Sequence, residues 1–263
     1  MTDAGLFGPD SMAWRIHADP VMLVGGLRAL LVQALEPRAM AAVDQHSKFR
    51  EDPWGRLERT TNFVVTTTYG DTAAAEAAAA LVRKVHEHVH GVDPVTGEAY
   101  AGNDPDLLLW IHAVEVESFV VAYRTYAGRL TDADADRYVA EMARVAELVE
   151  LPAAMVPRSL GEVRDYLRSV RGLQVTPAAR EGLRVVLFPP MDLRYRPLWA
   201  IPTTAAVAIL PADARRMYRI PWFPPIALPV RTGVFALSRV LNLVTPVPPA
   251  LRDARARVQS LAA

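Results

Sequence analysis

The chain has 263 residues, its 29 basic residues balanced by 29 acidic ones, with 51% hydrophobic and 22% charged content. That balance excludes a disordered or low-complexity chain, which cannot bury enough apolar surface to offset its entropy, and it leaves no net field to draw nucleic acid. The absence of cysteine excludes disulfides, thiolate nucleophiles and iron–sulfur clusters, so any metal must be held by nitrogen or oxygen.

Apolar residues recur at helical spacing almost throughout and no stretch sustains a two-residue alternation, which predicts an all-α chain. A first helix is expected near residues 20–35, entered at Pro20, and a second from Pro37 to about His46. A third starts near Asp52 and Pro53, ends at Gly70, and puts Arg56, Arg59, Thr60, Phe63 and Thr67 on one side at spacings of three and four. Asp71 or Thr72 caps an alanine-rich fourth helix, predicted to run to His90 and stop at Gly91. Residues 92–104 read as a turn-rich loop, and Asp104 with Pro105 opens a long helix. Thr131 caps a helix over residues 132–150, residues 151–159 are a linker, and a further helix covers 160–170. Prolines from Pro189 to Pro249 are expected to chop the last third into short helices.

Apolar runs look too short to cross a bilayer, which takes about 20 residues. The longest, Leu198 to Leu210, contains Pro202 and is predicted to be a buried core helix rather than a transmembrane segment. Residues 221–244 mix Trp222 and Phe223 with Arg231 and Arg239, which reads as a core-packing helix or as peripheral contact with a membrane. Asp3, Pro9 and Asp10 interrupt the start of the chain where a secretory signal needs a basic and then apolar run, so the expected location is cytoplasmic.

Histidines supply the sharpest local signal. His86, Glu87 and His90 fit the HExxH template, in which two imidazoles one helical turn apart hold zinc and the glutamate acts on a metal-bound water; Glu115 or Glu117 are available as a third ligand. No further histidine completes the extended HExxHxxGxxH form, and a solvated cluster at a helix C-terminus explains the same residues. A different pairing takes Arg83 and His86, three apart on one face, as a haem ligand with an arginine for a propionate.

The strings SMAWRIHADPVMLVGGLRALLVQALEP, DQHSKFREDPWGRLERT, VRKVHEHVHG and DPDLLLWIHAVEVESFVVAYRTYAG, in that order, resemble the MpaB-type oxygenase family, relatives of the latex clearing protein or rubber oxygenase. The resemblance runs from about Ser11 to Glu150 and continues more weakly through RRMYRIPW. It implies one domain over residues 1–263, with residues 11–150 as the motif-bearing core and residues 151–263 as its proline-broken helical C-terminal part. It also implies a globin-like core that binds haem b and its iron. The family's distal R-x-x-K-T pattern falls on Arg56, Arg59 and Thr60, with arginine in place of the lysine, and a guanidinium cannot ligate iron as a free amine can. These three residues are the implied catalytic group, with Arg59 as a donor to bound dioxygen and Thr60 either a donor to that ligand or bonded to its own preceding turn. The family's R-x-x-H motif falls on Arg83 and His86 and makes His86 the iron ligand. His112 matches a recurrent position, where it lines the pocket, bonds a propionate, or is a satisfied core histidine. Glu36 sits where relatives carry a histidine, and serves as a pocket base or as a surface residue at a helix end. His46 also matches a family motif.

Together these readings predict a haem-dependent oxygenase or oxidase acting with dioxygen on a hydrophobic small molecule. The alternatives are a zinc hydrolase built on His86, Glu87 and His90, or a non-catalytic helical carrier of haem or lipid.

Overall fold

The computed structural model describes residues 3–221, 225, 227–244 and 246–262, so Trp222 and Phe223 lie outside the described residues. Most of its helices begin where a side-chain oxygen meets the free N–H groups of a first turn. Ser11 caps α1 (Met12–His17); α2 (Met22–Gln33) follows, and Glu36 caps α3 (Pro37–His46). Asp52 caps α4 (Pro53–Tyr69) and Asp71 caps α5 (Thr72–His86). After a two-stranded hairpin, Asp104 caps α6 (Pro105–Tyr126), and Thr131 with Asp134 forms a capping box on α7 (Asp132–Leu148). Ser159 and Thr176 cap α8 (Leu160–Ser169) and α9 (Pro177–Leu187). A 3-10 turn (Leu193–Tyr195) leads into α10 (Arg196–Ala208), then α11 (Ala212–Tyr218), α12 (Ala227–Val244) and α13 (Pro249–Ala262). The all-α expectation holds.

Four local differences from the sequence reading have physical causes. Helix α1 was too short to show a period and forms because Met12, Ala13, Trp14 and Ile16 are all buried. Helix α5 stops at His86, and residues 90–92 pair instead as β1 (His90–Val92) with β2 (Ala99–Ala101), Gly91 opposite Tyr100. The buried Asp93 carboxylate closes this hairpin by accepting from the backbone N–H groups of Val95 and Thr96 and from the Thr96 hydroxyl. Helix α10 is buried on one side only, through Thr203, Ala205, Ala206 and Val207, while Leu198 on its other side is 65% exposed. Helix α12 is not a short proline-bounded piece: its 18 residues are long and apolar enough, by length and composition, to cross a membrane.

Helix α6 is the axis of the fold. It is buried on most of its circumference and packs on α2, α7, α8 and α12. Its closest partner is α2, where a Cβ on Gly25 would meet the Phe119 ring at 2.7 Å and the Ala122 Cβ at 3.3 Å. The same contact carries a buried ion pair, Arg28 to Glu117 at 2.6 Å, with Arg28 also donating to the Ile209 carbonyl. Two buried charges so joined specify one register of α2 on α6, because either alone would be an unpaired buried ion. One hydrophobic cluster extends from Phe7 through Val120 and Tyr138 to Val234 and Ala254, so residues from both ends of the chain share it.

Candidate functional site

Helices α4 and α5 are joined by Gly70 and Asp71 alone, which makes them an antiparallel pair. Arg56, Arg59 and Thr60 stand in the first turns of α4 and Arg83 and His86 in the last turn of α5, so both groups lie at the ends away from the Gly70–Asp71 turn, and no hydrogen bond or ion pair joins one group to the other among the described residues. On α5, Ala75, Ala79 and His86 fall on one stripe at helical spacing, and the two alanines are fully buried, so His86 continues the inward face. The His86 ring has no hydrogen-bond partner among the described residues, and burial holds its pKa below the ordinary imidazole range. It is a neutral imidazole with free lone-pair capacity near neutral pH.

The arginines around it are differently committed. Arg56 is half-buried and donates to the Ser47 hydroxyl at 2.9 Å; desolvation, and then the neighbouring Arg59 charge, lower its pKa. Arg59 is exposed and pairs with Asp52 at 3.6 Å. The Thr60 hydroxyl donates to the Arg56 carbonyl at 3.1 Å, the back-bond to its own preceding turn. Arg83 reaches across to the end of α7, donating to the Leu148 carbonyl at 2.5 Å and pairing with Glu150 at 3.3 Å. Glu36 is the cap of α3, accepting from the Ala39 N–H and pairing with Arg38 at 3.0 Å; it stands at the helix end as expected but is buried, not a surface residue, because its carboxylate turns back onto the first turn of the helix. His46 lies against the hairpin, its Nε2 3.2 Å from the His90 carbonyl.

Helix α6 presents a second line of residues at spacings of three and four: Leu108, His112, Glu115 and Phe119. Leu108 packs with Ala143 and Ala146 of α7, and Phe119 stacks edge-on with His17 at 5.3 Å, so this line faces α7 and α1. His112 Nε2 is buried with no hydrogen-bond partner, and burial depresses the ring pKa to about 4. Glu115 pairs with no cation among the described residues, and desolvation raises its carboxyl to about 7. Both side chains lie largely among the core helices, which is the source of their desolvation.

The Glu115 charge is felt by Tyr138, whose hydroxyl is 2.8 Å from His17 Nε2, while His17 Nδ1 is 2.7 Å from the Thr68 hydroxyl. Thr68 spends its own proton on the Val64 carbonyl at 2.6 Å, so its oxygen must accept from His17 Nδ1–H, and His17 Nε2 accepts from Tyr138. This buried polar chain and the Glu115 carboxyl were missed as a unit by the sequence reading. Only the spacing of Glu115 from His112 pointed toward them, and Glu115 was weighed solely as a zinc ligand.

The zinc arrangement does not form. His86 is the last residue of α5, Glu87 lies past its end, and His90 is exposed on β1, so the two imidazoles are not one helical turn apart. Glu117 is taken by Arg28, and no group of three His, Asp or Glu residues among those described is placed to hold a metal ion. An apolar groove of about 820 Å³, walled by Leu193, Arg196, Trp199 and Val207 among others, lies elsewhere. None of Arg56, Arg59, Thr60, Arg83, His86 or His112 lines that groove.

Residues 14–240 match the family model described as ER-bound oxygenase mpaB/B'/Rubber oxygenase, catalytic domain. No curated protein and no solved structure matches the chain significantly.

Proposed function

Because the chain belongs to the family of the MpaB-type and rubber oxygenase catalytic domains, we propose that this oxygenase-family enzyme uses haem b to oxidise a hydrophobic small molecule with dioxygen. The observation that carries the reading is His86: a neutral, unpartnered imidazole on the inward stripe of α5, beside an arginine-rich hairpin end. The donor set fits this group. The chain offers imidazole and no thiolate, which suits non-covalent haem b and not a cysteine-attached or cysteine-ligated haem.

His86 would hold the iron, and when bound the haem supplies the redox chemistry that activates dioxygen. Arg56 and Arg59 bring positive charge beside it; Arg56, with no carboxylate partner among the described residues, is the better placed of the two to meet a propionate or an oxygen ligand. The Thr60 hydroxyl must leave the Arg56 carbonyl before it can donate elsewhere. His112 offers a buried nitrogen that has no bond to give up, and Glu115, poised near neutrality, can hold or release a proton.

The test is an absorption spectrum and iron analysis of protein produced with a haem supply. A Soret band with about one iron per chain is expected, lost in His86→Ala and retained in Glu87→Gln. Protein that takes up no haem on reconstitution, or a His86→Ala variant with an unchanged spectrum, overturns the assignment.

A further inference from the structure

Residues 192–253 contain eight arginines and three acids, Asp192, Asp213 and Asp253, in a chain that is neutral overall. The same stretch is also where the surface is most apolar. Leu193 is 72% exposed, Leu228 68% and Leu243 85%, and Leu198, Tyr195 and the preceding Phe188 are exposed with them. These residues sit on adjacent elements, since α10 packs against both the 3-10 turn and α12. Helix α12 is fixed by one side: Val234 and Ser238 are buried, and the Ser238 hydroxyl and Asn242 amide donate to Asp19 at 3.1 and 3.0 Å. Its other side, with Leu228, Val240 and Leu243, has no cover among the described residues.

We propose that the outer face of the 3-10 turn, α10 and α12 docks on an anionic lipid bilayer. The leucines and Phe188 enter the boundary between headgroups and acyl chains while exposed arginines meet lipid phosphates. Arg196 and Arg231 are exposed and have no acidic partner among the described residues, whereas Arg194, 4.7 Å from the Tyr195 ring, is paired with Asp192 at 3.1 Å. Charge selects this occupant. A second copy meeting the same face would oppose arginine to arginine, the acids Asp192 and Asp213 being already paired with Arg194 and Arg216. A spanning arrangement would put Arg231 and Arg239 of α12 into hydrocarbon and break the bonds to Asp19. The inference is independent of the haem assignment.

Flotation of the full chain with vesicles tests it. The protein should float with phosphatidylcholine vesicles containing about one-quarter phosphatidylserine, and not with phosphatidylcholine alone, and salt should weaken the binding. Leu198→Glu with Leu243→Glu, and separately Arg196→Glu with Arg231→Glu, should each lower the partition coefficient by roughly tenfold or more. All four positions are exposed, so circular dichroism and the unfolding midpoint should match the parent and separate lost docking from lost folding. No binding to the anionic vesicles, or binding equal in parent and both variants, overturns the proposal. So does a concentration-dependent dimer in sedimentation that the same variants abolish, which would give the face to a second copy.

Discussion

Glu115 and His112 occupy the same side of α6 and pull in opposite directions with pH. Desolvation keeps the Glu115 carboxyl protonated up to about 7, above its unfolded value of 4.5. Ionising it is therefore a cost of the folded state alone, growing as pH rises from 4.5 and constant above 7. Glu115→Gln should raise stability at pH 8 by up to about 3 kcal/mol and leave it nearly unchanged at pH 4.5, as measured by urea unfolding at the two pH values. A gain that does not grow with pH would show that the carboxyl is solvated or paired. His112 has the reverse sign, being neutral in the fold to about 4 while the unfolded ring titrates at 6.5. Its orphaned Nε2 makes a second prediction. His112→Leu removes a buried polar atom that has no partner, and should stabilise the haem-free protein by about 1–3 kcal/mol while reducing turnover of the loaded enzyme. A variant less stable than the parent would mean that the nitrogen is satisfied in solution.

At the scale of elements, the position of His86 depends on a contact made by the hairpin that follows it. The Gly102 N–H donates to the Val89 carbonyl at 2.6 Å, and a Cβ on Gly102 would lie 2.9 Å from both the His86 carbonyl oxygen and the Val89 Cβ. The backbone cannot yield as a flexible side chain would, so Gly102→Ala should push the end of α5 outward. We expect a loss of about 1–3 kcal/mol and weaker haem retention, read from the unfolding midpoint and from the Soret absorbance after gel filtration. Gly97, at the tip of the same hairpin, has φ +75° and open space around its Cα. Gly97→Ala should cost about 1–2 kcal/mol through backbone strain and leave haem retention intact. Equal effects on haem from both substitutions would mean that the hairpin acts through global stability rather than by seating α5.

The whole molecule sums these titrations. Two neutral buried imidazoles, His17 with a pKa near 3 and His112 near 4, are protonated in the unfolded chain below 6.5. Between pH 4.5 and 6.5 the unfolded state thus binds two protons that the fold refuses, while the fold holds one at Glu115 that the unfolded state releases. The balance favours proton uptake on unfolding, so stability from these groups is full near pH 6.5 and is lost as pH falls toward 4, at about 1.4 kcal/mol per pH unit. Glu115→Gln should roughly double that slope, and urea midpoints across the window measure it. An unchanged slope would separate Glu115 from the titration.

The sequence by itself determined the helix starts, because each cap is a local arrangement: a Ser, Thr, Asp or Glu oxygen, often followed by proline, satisfies N–H groups within three residues. Asp52, Asp71, Asp104 and Thr131 were legible for that reason, and so were the family motifs around Arg56 and His86, which are contiguous strings. The end of α5 was not legible, since it depends on Gly102 and Tyr100 reaching back across a turn, and that pairing removed the helical face on which the HExxH reading stood. The partners of Arg83 were equally hidden, because they come from the end of α7 far along the chain, whereas the Thr60 bond to the Arg56 carbonyl, four residues back, is one of the two readings of that hydroxyl. Only the tertiary structure turned α6 so that His112 and Glu115 are desolvated and the Glu115 charge reaches Tyr138 and its chain to His17 and Thr68. Periodicity reports which face of a helix is apolar, whereas desolvation of a buried imidazole or carboxyl arises from helices that are distant in sequence, and no local pattern records it.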